Sequence, residues 1–259
     1  RIAYVMDKPM RMVGLNGKAF VPFLLGFGCN VPGVMATRTI ENKRDRLITI
    51  MANPFISCTA RLPVFVLFTS VFFPKNQILV LGSLYLLGIF IAILSVKVFG
   101  KIIPQKDDAS FIIELPPYRL PTVKGVFIHM WENVRGFLNK VTNIILAAVI
   151  IIWFLSSLPF GVEYASDESL IGKMSSIIAP IFKPAGFGTW QATIALIFGV
   201  LAKEIVISTL GVVYKASSYG LDVAIMQHFT PLSAYSFMVM TLLYSPCIAT
   251  IGSIRSETK

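Results

Sequence analysis

The sequence predicts an all-α fold, a polytopic bundle of transmembrane helices in which several segments are broken by proline or re-enter the membrane. Of the 259 residues, 55% are hydrophobic and only 14% are charged, whereas soluble domains carry about 25% charged residues. Uncharged windows of twenty residues occur at 77–96 and 141–160, and about 20 residues let a helix cross a bilayer core. Backbone groups in lipid must be paired internally, so these spans are expected to be helical.

The charge distribution favours a membrane partner over nucleic acid. The net charge is +10, but the basic residues lie in short loops beside apolar spans, as the positive-inside rule describes. Residues 97–140 are basic, which predicts a cytoplasmic position, and residues 160–175 are acidic, which predicts an external one. The chain begins with arginine and carries no signal peptide, so we expect a multi-pass fragment of a longer protein.

The first part of the chain contains two interrupted apolar segments and one continuous span. Residues 19–37 are interrupted by glycines, Cys29-Asn30 and Pro32, and residues 47–73 are interrupted at Asn53-Pro54 and again at Arg61-Leu62-Pro63. Proline removes a backbone hydrogen bond and kinks or ends a helix. Residues 76–98 are predicted to form an unbroken span.

The second part predicts a surface helix followed by further spans. After a proline-rich loop over 99–121, residues 122–141 place apolar side chains at helical spacing on one face, which is typical of a helix lying at the membrane surface. This helix leads into a span at 142–159. The remaining predicted elements are a short broken piece at 176–187, a span at 189–213 and a segment at 231–254 broken at Ser245-Pro246-Cys247.

A weak internal repeat relates the two parts. Gly26-Phe27-Gly28 recurs as Gly186-Phe187-Gly188, and a proline-broken segment with a cysteine follows each triplet one segment later. We therefore predict a first membrane repeat over 1–100, a loop and interfacial helix over 101–141, and a C-terminally truncated second repeat over 142–259. Broken hydrophobic segments in matching halves indicate the binding site of a transporter.

The three cysteines, Cys29, Cys58 and Cys247, each lie near a proline of a broken segment. Helix breaks free backbone carbonyls, and a thiol could join these oxygens around a cation. Asn30, Asn53 and Ser245 are the candidate polar neighbours. Sulfur favours Fe(II), Zn or Cu(I) over Mg or Ca. The alternative is that each cysteine is a small hydrophobic residue in a packed helix, and spacing alone leaves both open.

The Lys203-Glu204 pair is unusual because ionisable residues inside a span are costly and indicate function. One interpretation is that Glu204 faces the ion path and attracts a cation. The other is an interior salt bridge, for example to Arg61, that fixes two helices.

Several motifs together resemble the membrane region of the FeoB-type bacterial ferrous iron transporters. They are "GFGCNVP" at 26–32, "NPFISCTARLP" at 53–63, "LAKE" at 201–204 and "SPCIAT" at 245–250. The resemblance implies a polytopic inner-membrane domain with two gate repeats, which carries Fe²⁺ as its transported substrate. It also implies coupling to GTP through a cytoplasmic GTPase domain that is absent from this chain.

The resemblance further implies that Cys29, Cys58 and Cys247 line the iron path. From the residues themselves we expect Asn30, Asn53 and Ser245 as polar neighbours and Glu204 as an electrostatic aid. The implied partners are the GTPase domain, a small accessory protein and further copies of the chain. We expect no enzyme activity from the chain itself, because Asn16-Gly17-Lys18-Ala19 lacks the upstream glycine and the Ser/Thr of a P-loop. The alternatives are a carrier for a small organic solute such as a nucleoside, and a structural or redox-sensing membrane scaffold.

Overall fold

The structure is a computed structural model that describes residues 5–103, 122–157, 169–214 and 220–258. Within these ranges every regular element is helical and no β-strand occurs, which confirms the all-α prediction. The helices of the first part are α1 (Asp7–Val13), α2 (Phe20–Gly28), α3 (Asn30–Ala36), α4 (Lys43–Ala52), α5 (Leu62–Phe72) and α6 (Gln77–Ile102). Those of the second part are α7 (Val123–Ser157), α8 (Leu170–Ile178), α9 (Trp190–Leu201), α10 (Ile205–Val213), α11 (Leu221–His228), α12 (Pro231–Leu243) and α13 (Ile248–Thr258).

Three stretches of the described residues are long and apolar enough to cross a membrane: Lys43–Phe72, Gln77–Ile102 and Pro231–Thr258. A fourth candidate is the pair Ile171–Ala185 and Trp190–Leu201, whose axes meet at 102°. Apolar side chains on these stretches lie at the surface, for example Ile78 and Leu232, which are 86% and 78% exposed. Such exposure is expected of side chains that face lipid.

The first predicted break is confirmed, but it lies at Cys29 and not at the proline. Cys29 has extended backbone angles, φ −150° and ψ 132°, and separates α2 from α3. Pro32 lies in the first turn of α3, where its missing N–H would have had no intrahelical partner in any case. The breaks predicted at Asn53-Pro54, Arg61-Leu62-Pro63 and Ser245-Pro246-Cys247 also separate helices.

The unbroken span predicted over 189–213 is wrong. Two helices occupy these residues, α9 and α10, and Ala202 between them is extended, with φ −147° and ψ 126°. No proline or glycine stands at this break, so the sequence offered no helix-breaking residue there. The side chain of Lys203, the residue after Ala202, contacts another segment of the chain, as described below.

A single helix replaces the predicted surface helix and span. α7 is continuous over 35 residues, so it lacks the break that would let 122–141 lie flat while 142–159 crosses the bilayer. Most of the proline-rich loop, 104–121, and most of the acidic loop, 158–168, lie outside the described residues.

Three apolar clusters stabilise the described part of the bundle. The largest is built on α5, α9, α10 and α12 and contains an aromatic group in which the ring of Phe237 lies 5.2 to 5.5 Å from the rings of Phe68, Phe187 and Phe229. The second joins the start of the described chain to α4 and α6 through Leu15, Ile48 and Val96. A small third cluster joins α8 to α9.

The two Gly-Phe-Gly triplets of the predicted repeat occupy different positions in the fold. The first triplet ends α2, whereas Gly186 lies in a turn with φ +85°. The better match pairs Cys29 with Ala202, whose backbone angles differ by only a few degrees. Gly26 and Gly199 each lie three residues before these positions. A side chain at either glycine would collide with the neighbouring broken segment, at Asn53 and Tyr244 respectively.

Candidate ion site at the helix breaks

Four interrupted segments meet around one cavity of about 200 Å³. Its walls come from the breaks at 28–31, 58–61 and 201–204 and from the start of α13 at 247–250. Unpaired backbone groups at a helix end require water, a side chain or a ligand as partner. The cavity therefore lies where the backbone of this fold has most capacity to bind a polar or charged species.

All three cysteines line this cavity, and each stands at the start of a helix. Cys29 is the N-cap of α3, and Cys58 is the N-cap of the short 3₁₀ helix Thr59–Arg61 that leads into α5. Cys247 precedes α13, and its Sγ lies 3.1 Å from Thr250 Oγ1. All three thiols are free; Cys29 is exposed, Cys247 partly exposed and Cys58 buried.

The thiols surround the cavity without forming a single compact ligand set. They and Glu204 line the same cavity. Among the described residues, however, no three His, Cys, Asp or Glu side chains lie close enough to hold one metal ion together. The arrangement offers several donors around a space of ionic size instead of a closed structural site.

Asn30 lines the cavity, whereas Asn53 is not among the residues that line it. Asn53 Nδ2 donates to the Asn30 carbonyl at 3.1 Å. The side-chain oxygens of both asparagines are buried, lie near Gly26 and have no hydrogen-bond partner in the described residues. The two predicted polar neighbours therefore lie together beside the first break, with Asn53 one step behind the cavity wall.

Lys203 is the buried member of the Lys203-Glu204 pair, with 2% exposure. Its Nζ donates to the Ser245 carbonyl at 2.7 Å and lies 3.2 Å from the centroid of the Tyr244 ring. A carbonyl oxygen and a π face are both ligands for a cation. Ser245 is not among the residues that line the cavity, and its carbonyl accepts the hydrogen bond from the Lys203 ammonium group. The sequence does not predict Lys203 as a site residue, because two adjacent charged residues do not show which of their side chains is buried.

The proposed salt bridge between Glu204 and Arg61 is wrong. Arg61 is 1% exposed, and its guanidinium donates to the Ile56 carbonyl at 3.3 Å and to the Pro54 carbonyl at 3.4 Å. These carbonyls belong to the break between α4 and α5, so Arg61 satisfies that break. Glu204 is exposed at the cavity, and no ion pair involves it within the described part of the chain.

The fold and the cavity define a class: a helical membrane protein whose two broken-helix halves enclose a small thiol-lined site. The chain belongs to the Gate family, described as "Nucleoside recognition", which matches residues 1–72 and 138–259. Between these two regions, residues 81–133 match the family "Ferrous iron transport protein B C terminus". No solved structure matches the chain.

Three relatives show how widely the similarity extends. The chain is 46% identical over 259 residues to the Fe(2+) transporter FeoB of Staphylococcus aureus and covers 39% of that protein. It is 41% identical over 266 residues to the Fe(2+) transporter FeoB of Methanocaldococcus jannaschii, covering 40% of it. An Fe(2+) transport protein A/Fe(2+) transporter FeoB fusion protein of Porphyromonas gingivalis is 39% identical over 308 residues, with 36% covered. The chain thus spans about two fifths of the length of these relatives.

Proposed function

We propose that the chain forms the membrane path of a ferrous iron importer, with Cys29, Cys58 and Cys247 as the soft ligands of Fe²⁺. The observation that carries this proposal is the meeting of three free thiols at one cavity where four helix breaks converge. Thiolates suit Fe(II) better than Mg or Ca. Similarity to named Fe(2+) transporters supports the choice of iron among the soft metals.

Charge balance explains why this cavity needs three thiols. Arg61 and Lys203 contribute two buried positive charges to the cavity wall. Entry of Fe²⁺ adds two more, and uncompensated buried charge is strongly unfavourable. Three thiolates and the Glu204 carboxylate supply four negative charges, so the loaded cavity is neutral when the thiols release their protons. Iron binding is therefore coupled to proton release.

The spacing of the donors favours passage over storage. Because the described residues form no compact set of three metal ligands, we propose that one or two thiols and water hold Fe²⁺ at any one position. Conduction requires sites weak enough to release the ion. We propose that the ion moves between thiols through the cavity, with Glu204 attracting it at the exposed edge.

The size of the cavity disfavours the nucleoside carrier, although the family description mentions nucleosides. Pockets for drug-sized ligands have about 300–1,000 Å³, whereas this one has about 200 Å³. A partly hydrated ion fits such a volume, and a nucleoside exceeds it.

The broader setting belongs to the same proposal. We place the chain in the bacterial inner membrane, coupled to GTP through a cytoplasmic GTPase domain outside this sequence. The Fe(2+) transport protein A portion of the Porphyromonas gingivalis fusion supports a small accessory partner. Assembly into homo-oligomers is proposed from the family resemblance.

The test is Fe²⁺ uptake by cells that lack their own importer and express the complete coding sequence around this chain. Single Cys29→Ser, Cys58→Ser and Cys247→Ser variants should each lower the uptake rate at least about tenfold, because loss of one strong ligand costs more than about 1.4 kcal/mol. Ser70→Ala, at an exposed position outside the cavity, is the control and should retain the parental rate.

Membrane abundance and thermal unfolding of each variant separate lost transport from lost folding. Parental uptake by all three serine variants would rule out thiol ligation and favour the structural or redox-sensing scaffold. Uptake that fails only after oxidation, and recovers with a reductant, would favour the redox-sensing alternative.

A further inference from the structure

A second cavity shares no lining residue with the proposed ion cavity. It has about 390 Å³, and its walls come from the end of α1, the start of α4 and the last turns of α6. Three basic residues line it: Arg44, Lys97 and Lys101. The remaining wall is apolar or glycine, so the cavity joins a positive edge to a hydrophobic floor.

Two of the three basic groups are free to bind an anion. Arg44 already donates to the carbonyls of Gly100 and Ile103, at 2.6 and 2.9 Å, and its Nη1 lies 3.5 Å from Asp45. Lys97 and Lys101 are exposed and lie one helical turn apart on α6. Neither forms an ion pair within the described residues.

An apolar groove continues from this cavity along α6. It has about 290 Å³, shares Val13 and Val96 with the basic cavity, and is lined by apolar side chains that include Phe23, Phe27 and Ile93. The groove therefore runs from the lysines toward the middle of the helix. A positive cavity that opens into an apolar groove matches the two ends of one lipid molecule.

The length of α6 places the lysines at the level of lipid headgroups. The helix has 26 residues and is about 39 Å long at 1.5 Å per residue, whereas the hydrocarbon core is about 30 Å thick. The twenty residues from Gln77 to Val96 are uncharged, and Lys97 is the next residue. The basic cavity consequently begins where the helix leaves the hydrocarbon.

We propose that this cavity binds the headgroup of an anionic phospholipid, with an acyl chain of the same molecule in the groove beside α6. Basic pockets between transmembrane helices are known to bind anionic headgroups. The free lysines supply charge to the phosphate, and the groove supplies apolar contact that a soluble phosphate cannot use. The bound lipid would link α1 to the end of α6 and fix the packing between them.

Native mass spectrometry of the complete chain in detergent tests the proposal by titration with phosphatidylglycerol and, separately, phosphatidylcholine. Phosphatidylglycerol should bind at least about tenfold more tightly. Each lysine contributes about fivefold through its charge near the headgroup, so Lys97→Gln/Lys101→Gln should weaken binding about 30-fold. The matched control, Lys75→Gln/Lys173→Gln, removes two exposed lysines outside the cavity and should bind as the parent does.

Two further measurements make the test decisive. Ile93→Ser, in the groove, should weaken the binding of phosphatidylglycerol. Inorganic phosphate should compete poorly with phosphatidylglycerol for the parent protein. All of these variants alter exposed side chains, and an unchanged melting temperature in lipid-free detergent will verify their folding. Equal binding of the two lipids, parental affinity in the lysine double variant, or effective competition by inorganic phosphate would each overturn the proposal.

Discussion

Replacing Lys203 with methionine should tighten Fe²⁺ binding while changing the stability of the protein only slightly. Methionine keeps most of the side-chain volume and removes the positive charge from the cavity wall. The interactions lost are a hydrogen bond from a charged donor, 2.7 Å long, and a cation–π contact at 3.2 Å. Together they contribute about 4 kcal/mol. Relief of the desolvation cost of a buried ammonium returns several kcal/mol, so the free energy of unfolding should change by less than about 2 kcal/mol.

The effect on binding follows from the size of the cavity. A sphere of about 200 Å³ is about 7 Å across, so an ion in the cavity lies within about that distance of the lysine charge. Repulsion between charges of +1 and +2 at 7 Å is about 1 kcal/mol in water and about 5 kcal/mol at an effective dielectric constant of about 20. Lys203→Met should therefore raise the affinity for Fe²⁺ by roughly tenfold to a thousandfold. Because release slows as affinity rises, the transport rate should fall.

Anaerobic Fe²⁺ titration of the chain in detergent measures the affinity, and uptake by cells measures the rate. Tyr244→Phe is the matched control, because it keeps the π face below Lys203 and removes only a hydroxyl that has no hydrogen-bond partner in the described residues. This control should bind Fe²⁺ as the parent does. Unchanged or weaker affinity in Lys203→Met would refute the argument that its charge acts on the ion.

Three further predictions concern the buried carboxylate, a helix break and protonation. Glu257→Gln should lower the free energy of unfolding by about 2–3 kcal/mol, because the buried carboxylate accepts charged hydrogen bonds from two arginines. The control Glu41→Gln, in an exposed ion pair, should change the free energy of unfolding by less than about 1 kcal/mol. Gly199→Ala should lower the free energy of unfolding by about 1–3 kcal/mol, because the added methyl group collides with the Tyr244 hydroxyl. The control Gly211→Ala places its methyl group in open space and should have little effect. Adding Tyr244→Phe to Gly199→Ala should partly restore the stability measured by thermal unfolding. The affinity for Fe²⁺ should fall as the pH falls, because protons compete with the ion for the thiolates. An affinity that does not change between pH 8 and pH 6 would contradict thiolate ligation.

The breaks that carry proline or glycine could be predicted from sequence because those residues change the backbone itself. The break at Ala202 could not, since the residues around it all tolerate a helix. There the helix ends because the Lys203 ammonium finds its ligands on another segment, the Ser245 carbonyl and the Tyr244 ring, more than forty positions away. Contacts of that range are tertiary, and local pattern does not contain them.

The same limit explains which site residues were misplaced. Cys29, Cys58 and Cys247 were found because each is local to a break, and the breaks converge. Asn53 and Ser245 are equally close to breaks in sequence, yet the Asn53 amide nitrogen and the Ser245 carbonyl both bind protein partners. Arg61 was considered as an ion-pair partner, whereas its nearest acceptors are backbone carbonyls within seven residues.

The carboxylate of Glu257 has a consequence for how the protein can move. Its oxygens receive Arg38 at 2.5 and 2.8 Å and Arg46 at 3.0 Å, and only 3% of its side chain is exposed. These contacts join the last helix to residues more than two hundred positions earlier. Parting the two halves at this end would strip a buried anion of both its cations, which is strongly unfavourable. We therefore expect the helices to stay joined at Glu257 if the ion cavity changes its width.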